Sequence, residues 1–215
     1  MDAVLLDLYD TVARTHWGRF SERVAAEIGI DKKQLYRAYE LTRPVRAVGA
    51  FRDQEGDMRA VVEATGVDPA PELIGRLVAM ELDFTQTGVE LWDDALPVVE
   101  ELRSNGLKTA LISNCSHSTR PVVDRLGIEE AFDAILLSFE VGARKPQPEI
   151  YREALRRLGD VPPDRAVFVD DQVEYCDGAA ALGIVPYLMV RGDDPPGVDG
   201  HRVIRDLRAL LPLAG

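Results

Sequence analysis

The sequence predicts an α/β fold, with a parallel sheet covered by helices on both faces and a helical unit inserted after the first strand. Three observations carry this expectation. The short apolar runs Ala3-Val4-Leu5-Leu6, Thr109-Ala110-Leu111-Ile112 and Ala166-Val167-Phe168-Val169 each end in a polar residue, as buried strands do. From Pro97 onward, helical and strand-like patterns alternate, which implies right-handed βαβ units. Between Trp17 and Leu82 the patterning is helical throughout.

Taken in order, residues 3–7 read as a buried strand, too short for a helix. Phe20, Val24, Ala25 and Ile28 share one face of a first helix, and Gly29 stops it. Asp31 caps a second helix, with Leu35, Ala38 and Tyr39 in register. The segment Arg43–Asp53, holding Pro44 and Gly49, is expected to break the two helix pairs. Two further helices are expected over Asp57–Ala64, stopped by Gly66, and over Pro71–Leu82. Helices at 97–104, 119–126, 148–158 and 174–182 each precede an apolar run, at 108–112, 134–138, 166–169 and 186–190. An α/β core is therefore expected in residues 1–13 and 90–215, with the helical insert in 14–89. Arg191–Gly200, rich in Gly, Pro and Asp, reads as a loose surface loop.

Composition narrows the function classes. A chain of 215 residues, 46% of them hydrophobic, builds a full core without disulfides. With 25 Lys and Arg against 37 Asp and Glu, the net charge is −12. That argues against nucleic acid, whose binding needs phosphate neutralisation. A small phosphorylated molecule stays compatible, because a site's local charge can oppose the global one. Cys115 and Cys176 have neither metal-ligand spacing nor the look of a secreted disulfide framework, and read as ordinary small residues. No basic-then-apolar leader opens the chain, and no apolar run reaches bilayer length. The expectation is a soluble cytoplasmic protein with no membrane partner.

Four distant segments carry the chemistry: Asp7-Leu8-Tyr9-Asp10-Thr11, Ser113-Asn114, Lys145-Pro146 and Asp170-Asp171. The first, second and fourth follow predicted strands, and such positions converge on one crevice of an open parallel sheet. Carboxylates, a hydroxyl and an ammonium gathered there suit an anionic group together with a metal. Asp170-Asp171 is the most informative segment alone, since adjacent acids after a buried strand repel unless a cation or donors compensate.

These residues in this order resemble the haloacid dehalogenase-like (HAD) superfamily, in the branch whose Rossmann-like core carries a helical cap after the first strand. The similarity extends over the whole chain, and Gly142-Ala143-Arg144-Lys145-Pro146 with Phe168-Val169-Asp170-Asp171 makes it specific. The resemblance implies that Asp7 is a nucleophile forming a covalent aspartyl intermediate, helped by positioning and charge neutralisation. It implies that Thr11 fixes the loop carrying Asp7. Ser113 and the backbone at Asn114 would donate to the substrate, and Tyr9 would face it. Lys145 would offset the shared negative charge. Asp7, the Tyr9 backbone carbonyl and Asp171, helped by Asp170, would hold Mg²⁺.

The pattern departs from the family's phosphatases at Tyr9, where they carry the Asp that protonates the leaving oxygen. Asp10, one place on, is expected to point elsewhere on a bent loop. Tyr at this place resembles the 2-haloacid dehalogenases, whose halide leaves without a proton. Those enzymes use no metal, however, and lack the acidic pair kept here at Asp170 and Asp171. Three readings stay open: a metal-dependent phosphohydrolase with a good leaving group, such as an acyl or aryl phosphate; a carbon–halogen hydrolase; and a binding protein that has lost hydrolysis. Charge balance favours the first, since without Mg²⁺ three carboxylates would crowd one lysine.

In capped relatives the insert closes over the crevice and supplies specificity. Arg43 and Arg46, in the expected break beside Phe51 and Arg52, are the candidates to grip a substrate carboxylate or phosphate. Trp17 reads as a packing residue at the seam, with His16 near the entrance and His117 at an exposed helix start.

Overall fold

The computed structural model describes residues 1–192 and 200–214. The expected loop at Arg191–Gly200 lies mostly outside the described residues. Within them, six parallel strands form one sheet in the order β5-β4-β1-β6-β7-β8. These are β1 (Ala3–Leu6), β4 (Lys108–Ser113), β5 (Ala134–Leu137), β6 (Ala166–Asp170), β7 (Val185–Met189) and β8 (Arg202–Ile204). The wholly apolar strand β1 lies in the interior of the sheet and is buried throughout.

Side-chain alternation along β1 divides the core between the two faces. Val4 and Leu6 pack with Val98, Val99 and Leu102 of α5 (Ala95–Ser104) and with Val122 and Val123 of α6 (Thr119–Leu126). Ala3 and Leu5 pack on the opposite face with Ile150, Tyr151 and Ala154 of α8 (Pro148–Arg157) and Ala179 of α9 (Val173–Ala180). The sheet is thus covered on both sides, as its near-continuous apolar strands require.

Helices α1 (Trp17–Ile28), α2 (Lys32–Arg46), α3 (Gln54–Thr65) and α4 (Pro71–Thr87) build a separate apolar cluster around Phe20, Val24, Leu35, Met58, Val62, Ile74 and Leu77. Gly29 ends α1 in the left-handed conformation at φ 82°. Asp31 accepts the Gln34 N–H at 2.7 Å to start α2. Asp53 does the same for Gly56 at 3.0 Å, so α3 begins before the expected Asp57.

Four features depart from expectation. The break after α2 is shorter than Arg43–Asp53, because the helix runs through Pro44 to Arg46. Side-chain bonds support its last turns: Thr42 donates to the Ala38 carbonyl at 2.8 Å, and Arg46 to Thr42 Oγ1 at 2.9 Å and to the Tyr39 carbonyl at 3.1 Å. Two strands of three residues, β2 (Ala13–Thr15) and β3 (Val89–Leu91), pair antiparallel where the chain enters and leaves the helical unit. They are too short to leave a periodic signal. The β8 strand was also not expected; it carries only one buried residue, Ile204. The expected strand over 134–138 stops at Leu137, since Ser138 begins the short helix α7 (Ser138–Val141).

After Arg46 the chain passes close to α7. A Cβ on Gly49 would lie 2.2 Å from the Phe139 carbonyl oxygen, so only glycine permits this approach. No described helix is long and apolar enough to cross a membrane.

Candidate active site

Strand register brings the distant segments together. Leu6 of β1 lies opposite Leu111 of β4 and Val169 of β6, which puts Asp7 level with Ile112 and Asp170. Ser113 ends β4 one residue further on. The Asp7 N–H donates to the Val169 carbonyl at 2.9 Å, continuing the ladder into the loop. This is the carboxyl-end crevice of a parallel sheet, where ligands bind.

Lys145 reaches that crevice from the loop before α8 and is fully buried. Its ammonium donates to Asp7 Oδ1, to Asp170 Oδ2 at 2.6 Å and to the Ile112 carbonyl at 3.0 Å. An ammonium has three N–H donors, and all three are engaged. The Lys145 backbone is held as well: Asn114 Nδ2 donates to its carbonyl at 2.8 Å, and its N–H donates to Asn114 Oδ1 at 2.7 Å. The Asn114 side chain is therefore committed to placing Lys145, which leaves only its backbone for the substrate contact expected of it.

One oxygen from each of Asp7, Asp170 and Asp171 lies within 4.8 Å of the others. Burial pushes the Asp7 carboxyl well above the ordinary aspartate range; Lys145 pulls against it, and the charges of Asp170 and Asp171 add to it. Asp171 is pushed up to about 6 by burial and then by the Asp170 charge. The cluster thus holds more negative charge than Lys145 offsets. A hard divalent cation, which takes oxygen ligands and keeps several waters, fits this donor set.

The Ser113 and Thr11 hydroxyls are buried without hydrogen-bond partners, which is uncommon for buried polar atoms. The Asp7 loop is not tied by the Thr11 hydroxyl as expected. Backbone bonds hold it, with Val12 and Ala13 both donating to the Leu8 carbonyl, at 3.0 and 2.7 Å. Arg191 adds to these, donating to the Thr11 carbonyl at 2.6 Å while pairing with Asp94 at 2.8 Å. Nothing in the sequence near Arg191 signals this role. Asp10 is exposed, in the left-handed region at φ 60°, and its N–H donates to the Ala13 carbonyl at 2.6 Å. The Tyr9 hydroxyl pairs with Thr119 Oγ1 at 3.0 Å, and burial raises it above its ordinary range.

A cavity of about 400 Å³ lies between the helical unit and the loop after Ser113, lined in part by Tyr9, Asn114, Arg43 and Arg46. The two arginines are not the free loop forks expected from the sequence, because both sit on α2. Arg43 pairs with Glu40 at 2.5 Å and is half exposed. Arg46 is buried, bonded to Thr42 and the Tyr39 carbonyl, with its guanidinium 4.9 Å from the Tyr39 ring centre.

Trp17 also lines the cavity and packs edge-on to Tyr39, with ring centres 5.0 Å apart. His16 lies instead against Glu90, at 3.7 Å. His117 is not the exposed residue expected. Its ring Nδ1 lies 2.7 Å from Asp57 Oδ2 of α3, and its N–H donates to the same oxygen at 3.2 Å. Sequence spacing gives no hint of this pair, whose members are sixty residues apart. Both cysteines are buried, as small core residues.

Comparison with known proteins settles the family. Residues 1–183 match the family model of haloacid dehalogenase-like hydrolases. The chain belongs to this family. As a haloacid dehalogenase-like hydrolase it is an enzyme, and its six-stranded parallel sheet matches the fold of solved members. It is 31% identical over 201 residues to the glyceraldehyde 3-phosphate phosphatase of Methanopyrus kandleri, covering 88% of this chain and 84% of that one. Among solved structures, 2-haloacid dehalogenase from Pseudomonas syringae pv. Tomato superposes with a TM-score of 0.72 at 22% identity, covering 100% of this chain and 97% of that one. A HAD-family enzyme from Bacteroides thetaiotaomicron, in complex with magnesium and inorganic phosphate, gives 0.71 at 21%, covering 90% and 96%. At these identities the structural likeness speaks for the fold alone.

Proposed function

We propose that this hydrolase is a magnesium-dependent phosphohydrolase acting on a small phosphorylated metabolite with a good leaving group, through a covalent intermediate on Asp7. The observation that carries this reading is the Asp7, Asp170 and Asp171 cluster around a single buried lysine. The similarity to a named phosphatase over most of both chains supports it. Asp7, the Tyr9 backbone carbonyl and Asp171, supported by Asp170, would hold the ion, which supplies positive charge beside the transferring phosphoryl group.

The chain's own residues do the rest. An Asp7 carboxylate oxygen attacks phosphorus, the bond from phosphorus to the leaving oxygen breaks, and that oxygen departs with the electron pair. Water then hydrolyses the aspartyl phosphate, releasing inorganic phosphate and restoring Asp7. Ser113, whose hydroxyl has no partner, and the backbone at Asn114 donate to phosphoryl oxygens. Lys145 keeps Asp7 oriented and compensates charge. The helical unit covers the crevice as a cap, and Arg43 borders the cavity beside it. The Tyr9 hydroxyl, bonded to Thr119, supplies no leaving-group proton, hence the demand for a leaving group that departs as a stable anion.

That same Tyr9 supports a second reading, carbon–halogen hydrolysis, in which halide needs no proton. A screen of aryl, acyl and alkyl phosphates against 2-haloacids, with and without Mg²⁺, separates the two. Phosphate release abolished by EDTA supports the proposal, whereas halide release untouched by chelator sinks it.

A further inference from the structure

We infer that the leaving group is a phenol-sized aromatic ring carrying a second hydroxyl, seated in the cavity between the helical unit and the loop after Ser113. The inference rests on the phosphohydrolase reading and narrows it from good leaving groups in general to aryl phosphates. The cavity, at about 400 Å³, has the size of a small-ligand site. Tyr9 and Asn114 on its wall belong to the segments that carry Asp7 and Ser113, which places it next to the loops of the reactive cluster.

Its walls favour a flat ring. Trp17, Tyr39 and Phe84 line it, and Trp17 packs edge-on to both others at 5.0 and 6.1 Å between ring centres. Aromatic faces and edges accept another ring in these geometries better than they accept a short charged acyl chain.

Two buried polar groups on the same wall specify the second hydroxyl. The Tyr39 hydroxyl is buried with no hydrogen-bond partner, although buried polar atoms rarely go without one. Glu81 is buried at 7% exposure, lines the same cavity and accepts from Gln54 at 2.7 Å. Burial raises the Tyr39 hydroxyl above its ordinary range, so it remains a donor at neutral pH. A ligand hydroxyl accepts from Tyr39 and donates to Glu81 at once. An ammonium ligand would leave the Tyr39 O–H without an acceptor.

The chemistry agrees. Asp7 oxygen bonds to phosphorus, the bond from phosphorus to the ring oxygen breaks, and the ring leaves as phenolate, which takes its proton later from solvent. Tyr9, with its hydroxyl bonded to Thr119, need donate nothing.

The test pairs turnover with binding. Hydrolysis of 3-hydroxyphenyl, phenyl, acetyl and glycerol phosphates is measured with Mg²⁺. Resorcinol and phenol are titrated separately into the Asp7→Asn protein, following tryptophan fluorescence with Trp17→Phe as control. We expect kcat/KM for the hydroxyphenyl ester to exceed that for phenyl phosphate by about 10-fold, chiefly through KM, as two added hydrogen bonds imply. Tyr39→Phe and Glu81→Gln each bring that ratio toward one, a readout independent of how much enzyme is folded. Preference for acetyl or glycerol phosphate, or phosphatase activity without saturable phenol binding, overturns the inference and leaves the phosphohydrolase reading intact. Saturable resorcinol binding weakened by Tyr39→Phe, with no phosphate released from any ester, overturns the phosphohydrolase reading while supporting the assignment of the cavity.

Discussion

Asp57 and His117 join the helical unit to the core through one carboxylate oxygen, which receives both the ring nitrogen and the backbone N–H of the histidine. The loop so held is the one that follows Ser113. Asp57→Ala removes the acceptor of both bonds. The expected loss is roughly 1–3 kcal/mol, that of hydrogen bonds to a charged group, read from urea midpoints. Amide exchange at 116–119 should quicken in the same variant. Unchanged exchange there would mean that the pair does not restrain the loop.

Among the described residues, Lys145 is the only cation bonded to Asp7 and Asp170, and it is buried with both. Removing one partner of a buried ion pair typically costs about 3–5 kcal/mol. Lys145→Met should lower stability by that order at neutral pH, and Mg²⁺ should recover part of it by taking over the compensation. Thermal melts with and without the ion measure this. A melt indifferent to Mg²⁺ would count against the carboxylates as a cation site.

Asp7→Asn should abolish turnover of every substrate, because the amide cannot form the covalent intermediate. Tyr9→Asp should raise activity toward alkyl phosphates, by at most the 10²–10⁴-fold or so that a positioned proton donor contributes. If Asp7→Asn keeps its activity in a phosphate-release assay, the covalent route is wrong.

Asp94 provides a pH-dependent prediction away from the reactive cluster. Burial works against its ionisation, but Arg191 and the Leu207 N–H outweigh it and hold the carboxyl below the usual aspartate range. A depressed folded-state value means that the carboxylate contributes its stability above the unfolded value, about 3.9, and loses it as pH falls through the folded one. Asp94→Asn should therefore cost about 1–3 kcal/mol at pH 7, typical of a charge-assisted bond. The gap to the unaltered protein should close only below the ordinary aspartate pKa. A gap that instead widens on acidification would contradict the assignment.

The strands and the meeting of Asp7, Ser113 and Asp170 were legible because each is written locally, as an apolar run followed by a reactive residue, whereas Lys145 was placed by the family resemblance of its Lys-Pro segment. The α1 and α2 signals were equally local, in Gly29 and Asp31. What escaped was, apart from the helix end at Pro44, set by partners remote in sequence. Pro44 reads as a breaker, yet Arg46 and Thr42 carry the helix past it. The clamp of Arg191 on the Asp7 loop spans 180 residues. The Asn114–Lys145 exchange and the Asp57–His117 pair arise only once the chain is folded, and no spacing rule encodes them.

The saturated ammonium of Lys145 has a bearing on what the enzyme tolerates in evolution. Three oxygens arranged about a tetrahedral nitrogen cannot be matched by the flat fork of arginine, so exchanging one cation for the other here would not be conservative. Because the charge is anchored and dehydrated during folding, it has no rearrangement left to make when substrate arrives. The work of organising the centre is completed before the first encounter.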